Sequence, residues 1–198
     1  MRTMETPTPS PDSLADLTIA DFLARLASDA PTPGGGSVAA LTGALAAGLG
    51  RMVAAFTLGK PKFAPVDADV RGIDERLARA ADMLRRLMDE DASAYGVLNT
   101  ALKLPKADPE RAAQVQSAAR LAAGVPLETA IIAARVRQDV ERLADIGNQY
   151  LRSDALAAAH LAAAALASAA ENVRANLPLL SPDDAKAIAA QLDHVTEK

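Results

Sequence analysis

The stretch ALAAAHLAAAALASAA, residues 155–170, decides the fold class, because an uninterrupted alanine-rich run of this length favours helix over strand. It is the densest part of a sequence with 47 alanines among 198 residues, whereas aromatic residues make up only 3%. Sheet cores favour branched and aromatic side chains, while alanine has the highest helix propensity and lets helices approach closely. The composition therefore predicts an all-α protein.

The composition also excludes several classes of function. With no cysteine and only two histidines, His160 and His194, we expect no metal site, no iron–sulfur cluster and no disulfide scaffold. The chain has 21 basic and 25 acidic residues and a net charge of −4, so it lacks the positive field that nucleic-acid binding requires. These counts leave a protein that works without metal or nucleic acid.

The N-terminal residues do not have the composition of a targeting signal. Residues 1–17, MRTMETPTPSPDSLADL, contain no apolar core of a signal peptide, and we interpret them as a disordered lead-in. Residues 18–198 are predicted to form one helical domain in a cytoplasmic protein.

The apolar stretches 38–58 and 155–170 are interpreted as buried helices, not membrane spans. About half of the first is Ala and Gly, and the second is short and contains a histidine.

Proline, glycine and capping residues divide this domain into a bundle of about seven helices with a long central helix. Ser37 is expected to cap the second helix, and Gly124-Val125-Pro126 to separate the fourth from the fifth. The predicted helices span about residues 19–28, 37–57, 67–103, 109–123, 126–147, 154–176 and 182 onward.

Asp91 is the most informative polar residue. In the third predicted helix, apolar side chains recur every three or four residues, and Asp91 falls on this seam between Met88 and Tyr95. A carboxylate that faces a packed seam is desolvated, which raises its pKa toward the range useful for proton transfer. Two interpretations stay open: a general acid or base, or a buried aspartate paired with an arginine or with backbone amides.

The run Gly34-Gly35-Gly36-Ser37 is a second candidate site. Consecutive glycines permit unusual backbone angles, and a helix start presents free N–H groups that bind a carboxylate, a phosphate or a developing anion. No Gly-Lys-Ser/Thr follows, which excludes a P-loop. The alternative is a tight turn that lets two helices pack closely.

Two loops carry lysines. Lys60 and Lys62 lie two positions apart beside Phe63, and Lys106 lies in a second loop. Such side chains are usually only solvated, but a pair next to an aromatic ring also fits the steering of an anionic ligand.

Two asparagines share one face of the sixth predicted helix. Asn172 and Asn176 follow Ser168 at four-residue spacing, and amides are poor helix formers, so they are interpreted as partners of a ligand or of another helix. Asp154, near the start of this helix, has the position of a capping group or of a second functional carboxylate.

Nine short runs, taken together, resemble the cyclodeaminase/cyclohydrolase family of folate enzymes, which includes the C-terminal domain of formiminotransferase-cyclodeaminase and free-standing methenyltetrahydrofolate cyclohydrolases. The resemblance spans about residues 18–180. The runs are PTPGGGSVAA (31–40), GKPKF (59–63), DASAY (91–95), LPK (104–106), VPL (125–127), GN (147–148), SD (153–154), NV (172–173) and NL (176–177).

The resemblance implies a helical homodimer that binds folate in a cleft and acts on the one-carbon bridge between N5 and N10 of tetrahydrofolate. Cyclodeaminases convert 5-formimino-tetrahydrofolate into 5,10-methenyl-tetrahydrofolate and ammonia, and cyclohydrolases hydrate the methenyl bridge to 10-formyl-tetrahydrofolate. Neither reaction needs a metal or a redox cofactor. We rank the cyclodeaminase first and the cyclohydrolase second. A formiminotransferase is an expected partner of the former.

The resemblance also implies roles for individual residues. Asp91 would be the general acid and base, and Asp154 a cap or a partner of the pterin. The implied substrate-binding residues are Gly34, Gly35, Gly36 and Ser37 through their backbone amides, Lys60, Lys62 and Lys106 for the glutamate carboxylates, and Asn172 and Asn176 for the pterin or the bridge.

The chain departs from the family pattern in the lysine loop. Pro61 and Phe63 stand where the family usually has a lysine and a tyrosine, which removes one charge and one hydroxyl. This change adds weight to a hypothesis of another class, a non-catalytic folate-binding or scaffold protein. Against that hypothesis, Asp91, both lysines and the glycine turn are all present.

Overall fold

A computed structural model of the chain describes residues 13–197 and contains no β-strand within them. Six α-helices account for most of this part of the chain, and short 3-10 helices connect several of them. The helices are α1 (Ile19–Leu26), α2 (Gly35–Ala55), α3 (Asp67–Leu102), α4 (Arg111–Ile146), α5 (Arg152–Asn176) and α6 (Pro182–Thr196).

The predicted break at residues 124–126 is wrong, which reduces the predicted seven helices to six. Helix α4 runs through Pro126 without interruption. A proline has no N–H, so it leaves the carbonyl four residues earlier, that of Ala122, without its helical donor. The Asn176 side chain replaces this donor, because its Nδ2 lies 2.9 Å from the Ala122 oxygen. A contact from another helix therefore supports a helix that the local sequence alone would end.

Helix α2 lies against α3, α4 and α5, and its small residues permit this close packing. A Cβ on Gly50 would lie 2.6 Å from Val140 Cγ1 and 2.9 Å from Leu77 Cδ1, and one on Gly43 would lie 3.1 Å from Leu84 Cδ1. These contacts leave no room for a larger side chain. Gly43 lies beside Leu84 and Gly50 beside Leu77, so residue numbers fall along α3 as they rise along α2. The two helices are therefore antiparallel.

Residues 13–17 are folded, which corrects the predicted boundary of the lead-in. They form the 3-10 helix Leu14–Asp16, and Leu14 is buried. Asp89 of α3 accepts hydrogen bonds from the Ser13 hydroxyl and the Leu14 N–H, both at 2.6 Å. The rest of the predicted lead-in, residues 1–12, lies outside the described part of the chain.

One face of α2 is exposed although Arg51 is the only charged residue of the helix. Leu45 is 56% exposed and Phe56, at the C-terminal cap, 53%, and Met52 is exposed between them. Three segments are long and apolar enough, by length and composition alone, to cross a membrane, and 44% of each apolar window is buried in the fold: Gly35–Ala55, Arg111–Ile146 and Gln149–Leu179. A helix this apolar is usually covered on most of its surface, so the exposed face of α2 is unusual.

Candidate active site at the N-terminus of α2

A cavity of about 230 Å³ lies where the N-terminus of α2 meets α3, α4 and α5. It brings together residues that are far apart in the sequence, including most of the predicted site residues. Its lining consists of Pro31, Thr32, Gly34, Gly35, Gly36, Asp91, Tyr95, Leu98, Ala122, Asn172 and Asn176.

The glycines at the start of α2 are needed for space and not for unusual backbone angles. Gly34 has an extended conformation with φ of −123°, and among the described residues only Gly59 has a positive φ. A Cβ on Gly36 would overlap the Asp91 carboxylate, and one on Gly35 would lie 3.3 Å from the Asn172 amide. The glycines thus let a carboxylate and an amide reach the first turn of the helix.

Ser37 lies inside α2 and does not cap it, as the sequence had suggested. The N-cap is Gly34, and Ser37 is fully buried in the first turn. Its Oγ lies 2.9 Å from Asp91 Oδ2 and 3.0 Å from the Met88 carbonyl oxygen. Ser37 therefore contacts the candidate catalytic carboxylate and not the solvent-exposed helix start.

Asp91 is partly buried, and this desolvation raises its pKa above the usual aspartate value. Hydrogen bonds from the hydroxyl and the backbone N–H of Ser37 act in the opposite direction and lower the pKa. The N-terminal end of the α2 dipole also favours the charged form. A carboxyl group held between these opposing influences is suited to both losing and accepting a proton during a reaction.

The two asparagines of α5 differ in the hydrogen-bonding capacity that they leave for a ligand. Asn176 Nδ2 donates to the carbonyl oxygens of Ala122 and Asn172, both at 2.9 Å, which uses both of its protons. Asn172 Nδ2 donates one bond of 2.8 Å to the Ser168 oxygen. Asn176 can therefore only accept a hydrogen bond from a ligand, through Oδ1, whereas Asn172 can both donate and accept.

Sequence reasoning missed two features of the cavity. Tyr95 lies one helical turn after Asp91, lines the cavity and is 44% exposed. Its four-residue spacing from Asp91 places both side chains on one face of the helix, so Tyr95 could have been predicted as a site residue. Thr32 was not identifiable from spacing, because it is placed by a bond of 3.0 Å from Arg25 Nε to its carbonyl oxygen.

Five predicted site residues are not part of the cavity lining: Ser37, which is buried behind Asp91, and Lys60, Lys62, Lys106 and Asp154. Lys60 follows the C-terminus of α2, and Asp154 lies in the first turn of α5, just after Asn148, whose side chain contacts the Phe56 carbonyl. Lys60 and Asp154 are at the opposite end of α2 from Gly35, a helix about 30 Å long. Lys106 follows the C-terminus of α3, which lies on the Gly35 side because α3 is antiparallel to α2. Within one chain Lys60, Lys62 and Asp154 are therefore separated from the cavity by the length of α2, and Lys106 lies in a different loop.

Comparison with known proteins connects this geometry to a family. The family model described as formiminotransferase-cyclodeaminase matches residues 18–195. The chain belongs to the formiminotransferase-cyclodeaminase family. This confirms the resemblance inferred from the short sequence runs.

Members of this family include proteins with two different names. A methenyltetrahydrofolate cyclohydrolase of Methylorubrum extorquens is 40% identical over 163 residues, which cover 80% of this chain and 78% of that protein. A formimidoyltransferase-cyclodeaminase of Sus scrofa is 36% identical over 88% of this chain, which spans only 33% of that protein. The crystal structure of formiminotetrahydrofolate cyclodeaminase from Thermotoga maritima superposes with a TM-score of 0.80, at 29% identity, over 93% of this chain and 94% of that one.

Proposed function

We propose that the protein acts on the one-carbon bridge between N5 and N10 of tetrahydrofolate, first as a formiminotetrahydrofolate cyclodeaminase. The observation that carries the proposal is the Asp91 carboxyl group, partly buried against the first turn of α2 at the edge of the cavity. Both reactions of the family need a group that moves protons at a single carbon. Asp91 carries the only carboxyl group in the cavity lining within the described residues.

In the cyclodeaminase reaction, N10 attacks the carbon of the protonated formimino group and forms a tetrahedral centre that carries N5, N10 and one neutral amino group. The ionised Asp91 accepts the proton that N10 loses. The same carboxyl group then gives this proton to the amino group, which leaves as ammonia as the methenyl bridge forms. The proton count balances, and Asp91 ends in its starting form.

The other residues of the cavity would fix the substrate. Free N–H groups at the start of α2 stabilise negative charge that develops beside them. Asn176 Oδ1 accepts a hydrogen bond from an N–H of the substrate, and the Asn172 amide forms a further hydrogen bond that fixes the orientation of the substrate. Together they hold the one-carbon bridge beside Asp91. Tyr95, exposed on the rim, provides a flat apolar surface for the pterin or aminobenzoyl ring.

The second candidate is the methenyltetrahydrofolate cyclohydrolase reaction, which the 40% identical relative favours. Here Asp91 would take a proton from the water that attacks the methenyl carbon. The two activities are separated by the ultraviolet absorbance of methenyl-tetrahydrofolate. Its appearance from 5-formimino-tetrahydrofolate supports the cyclodeaminase, and its loss faster than without protein supports the cyclohydrolase. No change in either assay supports the non-catalytic binding protein.

We also propose a cytoplasmic homodimer. The exposed apolar face of α2 supports the dimer, because covering it would remove Leu45 and Phe56 from water. The chain spans about one third of the relatives named formimidoyltransferase-cyclodeaminase. A formiminotransferase is the partner that would supply the formimino substrate. Light scattering that gives a 20.4 kDa monomer at micromolar concentration would contradict the dimer.

A further inference from the structure

One wall of the Asp91 cavity is formed by residues 31–33, which lead from α1 into α2. Pro31 and Thr32 line the cavity, and the next residue, Pro33, is buried. Because a proline has no N–H, Thr32 supplies the only backbone donor of these three residues. Among the hydrogen bonds of the described residues, only one reaches their backbone, a bond of 3.0 Å from Arg25 Nε to the Thr32 carbonyl oxygen. A side chain of α1 therefore fixes this wall.

The Arg25 bond differs from the other side-chain hydrogen bonds of residues 18–34, which are local. Thr18 bonds to Asp21 at the start of α1, and the Ser28 hydroxyl donates to the Arg25 carbonyl oxygen, each across three residues. Arg25 lies in the last turn of α1, is half-buried, and its bond spans seven residues. A guanidinium group is a charged donor, so this bond is stronger than one between neutral groups. It closes the turn between α1 and the cavity wall.

Helix α1 is attached to the bundle by little apolar packing. Phe22 is its only buried residue, whereas Leu23 is 56% exposed and Ile19 82%. A groove of about 620 Å³ lies between α1 and the helices α2 and α3, so the inner side of α1 is incompletely packed. An element with few buried apolar contacts has low local stability and moves easily. The packing of α1 alone therefore does not fix the position of the wall.

The Asp91 carboxyl group is positioned independently of this wall. Its Oδ2 lies 2.9 Å from the Ser37 hydroxyl, and the carboxyl group lies against Gly36, so α2 and α3 hold it together. Among the hydrogen bonds of the described residues, none joins Asp91 to residues 25–33. Loss of the Arg25 bond would thus displace the wall and leave the carboxyl group in place.

We propose that Arg25 is a positioning residue for substrate binding, because it holds residues 31–33 against the Asp91 cavity through the Thr32 carbonyl oxygen. This inference rests on the proposed function, since it concerns the same cavity. Without the bond, the wall moves outward with α1 and the cavity fits the substrate less closely. A substrate that does bind still meets Asp91 in its normal position. The expected signature is therefore a higher KM with an unchanged kcat.

Two neutral substitutions separate the hydrogen bond of Arg25 from its charge. Arg25→Gln keeps an N–H donor, because the side-chain nitrogen of glutamine is bonded to Cδ, as Nε is in arginine. Arg25→Met places a methyl group at the same position and has no donor. Both residues are good helix formers, so α1 is preserved. We expect KM to rise about tenfold in Arg25→Met and to stay within about twofold of the wild-type value in Arg25→Gln.

Two kinetic outcomes would overturn the proposal. A wild-type KM in Arg25→Met would mean that the bond to Thr32 does not hold the wall. An equal rise of KM in Arg25→Met and Arg25→Gln would mean that the charge of Arg25 acts on the substrate and the bond does not matter. Arg137→Met is the matched control, because Arg137 is ion-paired with Glu141 on α4 and lies outside the cavity lining. It should keep the wild-type KM.

Hydrogen–deuterium exchange followed by mass spectrometry tests the wall without any turnover. In a peptide that covers residues 27–36, the amides should exchange faster in Arg25→Met than in the wild type. Arg25→Gln and Arg137→Met should exchange at the wild-type rate. If the wild-type protein turns over neither folate, the proposed function fails, but the exchange rates still decide whether Arg25 holds the wall. Equal exchange in Arg25→Met and in the wild type would overturn that role.

Discussion

The Ser37 Oγ lies 2.9 Å from Asp91 Oδ2 and 3.0 Å from the Met88 carbonyl oxygen. A hydroxyl has one proton, so Ser37 can donate to only one of these two oxygens at a time. When Asp91 is ionised, Ser37 donates to it. When Asp91 is protonated, the carboxyl group donates to Ser37, and Ser37 donates to Met88. The site thus satisfies both protonation states without moving a side chain.

Replacing Ser37 with alanine should shift the pH dependence of catalysis. The Ser37 hydroxyl lowers the pKa of Asp91, so its removal lets burial raise that pKa further. If the ionised carboxylate is the base, the acidic limb of the kcat/KM profile moves to higher pH. Ser117→Ala, on the exposed surface of α4, should leave the profile in place. An unchanged acidic limb in Ser37→Ala would show that Ser37 does not act on Asp91.

Adding a methyl group at Gly36 should displace the Asp91 carboxylate, because a Cβ there would overlap it. We expect turnover to fall by about a hundredfold or more, since small displacements of a catalytic group are costly. Gly124→Ala is the matched control, as it lies in α4 with nothing within 4 Å of a Cβ. That variant should keep its activity. Equal activity in both variants would mean that Asp91 does not need its position against α2.

Replacing Asp91 with asparagine should affect stability in a pH-dependent manner. Burial raises the pKa of Asp91 in the folded state above its unfolded value, so the folded protein binds the proton more tightly. The stability that this group contributes is full below the unfolded pKa and is lost as the pH rises through the folded pKa. The Tm of wild type relative to Asp91→Asn should therefore decrease from about pH 4 to pH 7. A constant difference in Tm would contradict this.

Asn176 and Pro126 should be energetically coupled through the Ala122 carbonyl. Removing the amide with Asn176→Ala leaves that carbonyl without a donor and should cost about 1–3 kcal/mol of unfolding free energy. Pro126→Ala supplies a backbone N–H at the same carbonyl, so the cost of Asn176→Ala should shrink in that background. Urea denaturation of the four proteins measures the coupling. Additive effects would mean that Asn176 does not replace the donor that proline removes.

The helices could be predicted from the sequence because their caps and breaks are local. Ser181 was identifiable as a cap, and its side chain accepts from the Asp184 N–H. Asp91 was identifiable because its position on an apolar seam is also a local pattern. The continuity of α4 was not predictable, since the donor for Ala122 comes from Asn176, 54 residues away.

The arrangement of the site depends on tertiary contacts that spacing does not encode. The glycine run suggested special backbone angles, but its role is to make room for Asp91 and Asn172, which are on other helices. The lysine loop and Asp154 were grouped with this cavity, yet the length of α2 places them at its far end. The distance between these residues and the cavity follows from the length of α2 in the folded chain, which the spacing of motifs in the sequence does not reveal.

The most direct test of the account is the turnover of Asp91→Asn, followed by the absorbance of methenyl-tetrahydrofolate with both substrates near neutral pH. Asparagine keeps the shape of the side chain and its contact with Ser37 but cannot accept a proton in the reaction. We predict that kcat falls by about 10²–10⁴-fold while the variant remains folded and still binds folate. Turnover of Asp91→Asn near the wild-type rate would contradict the account.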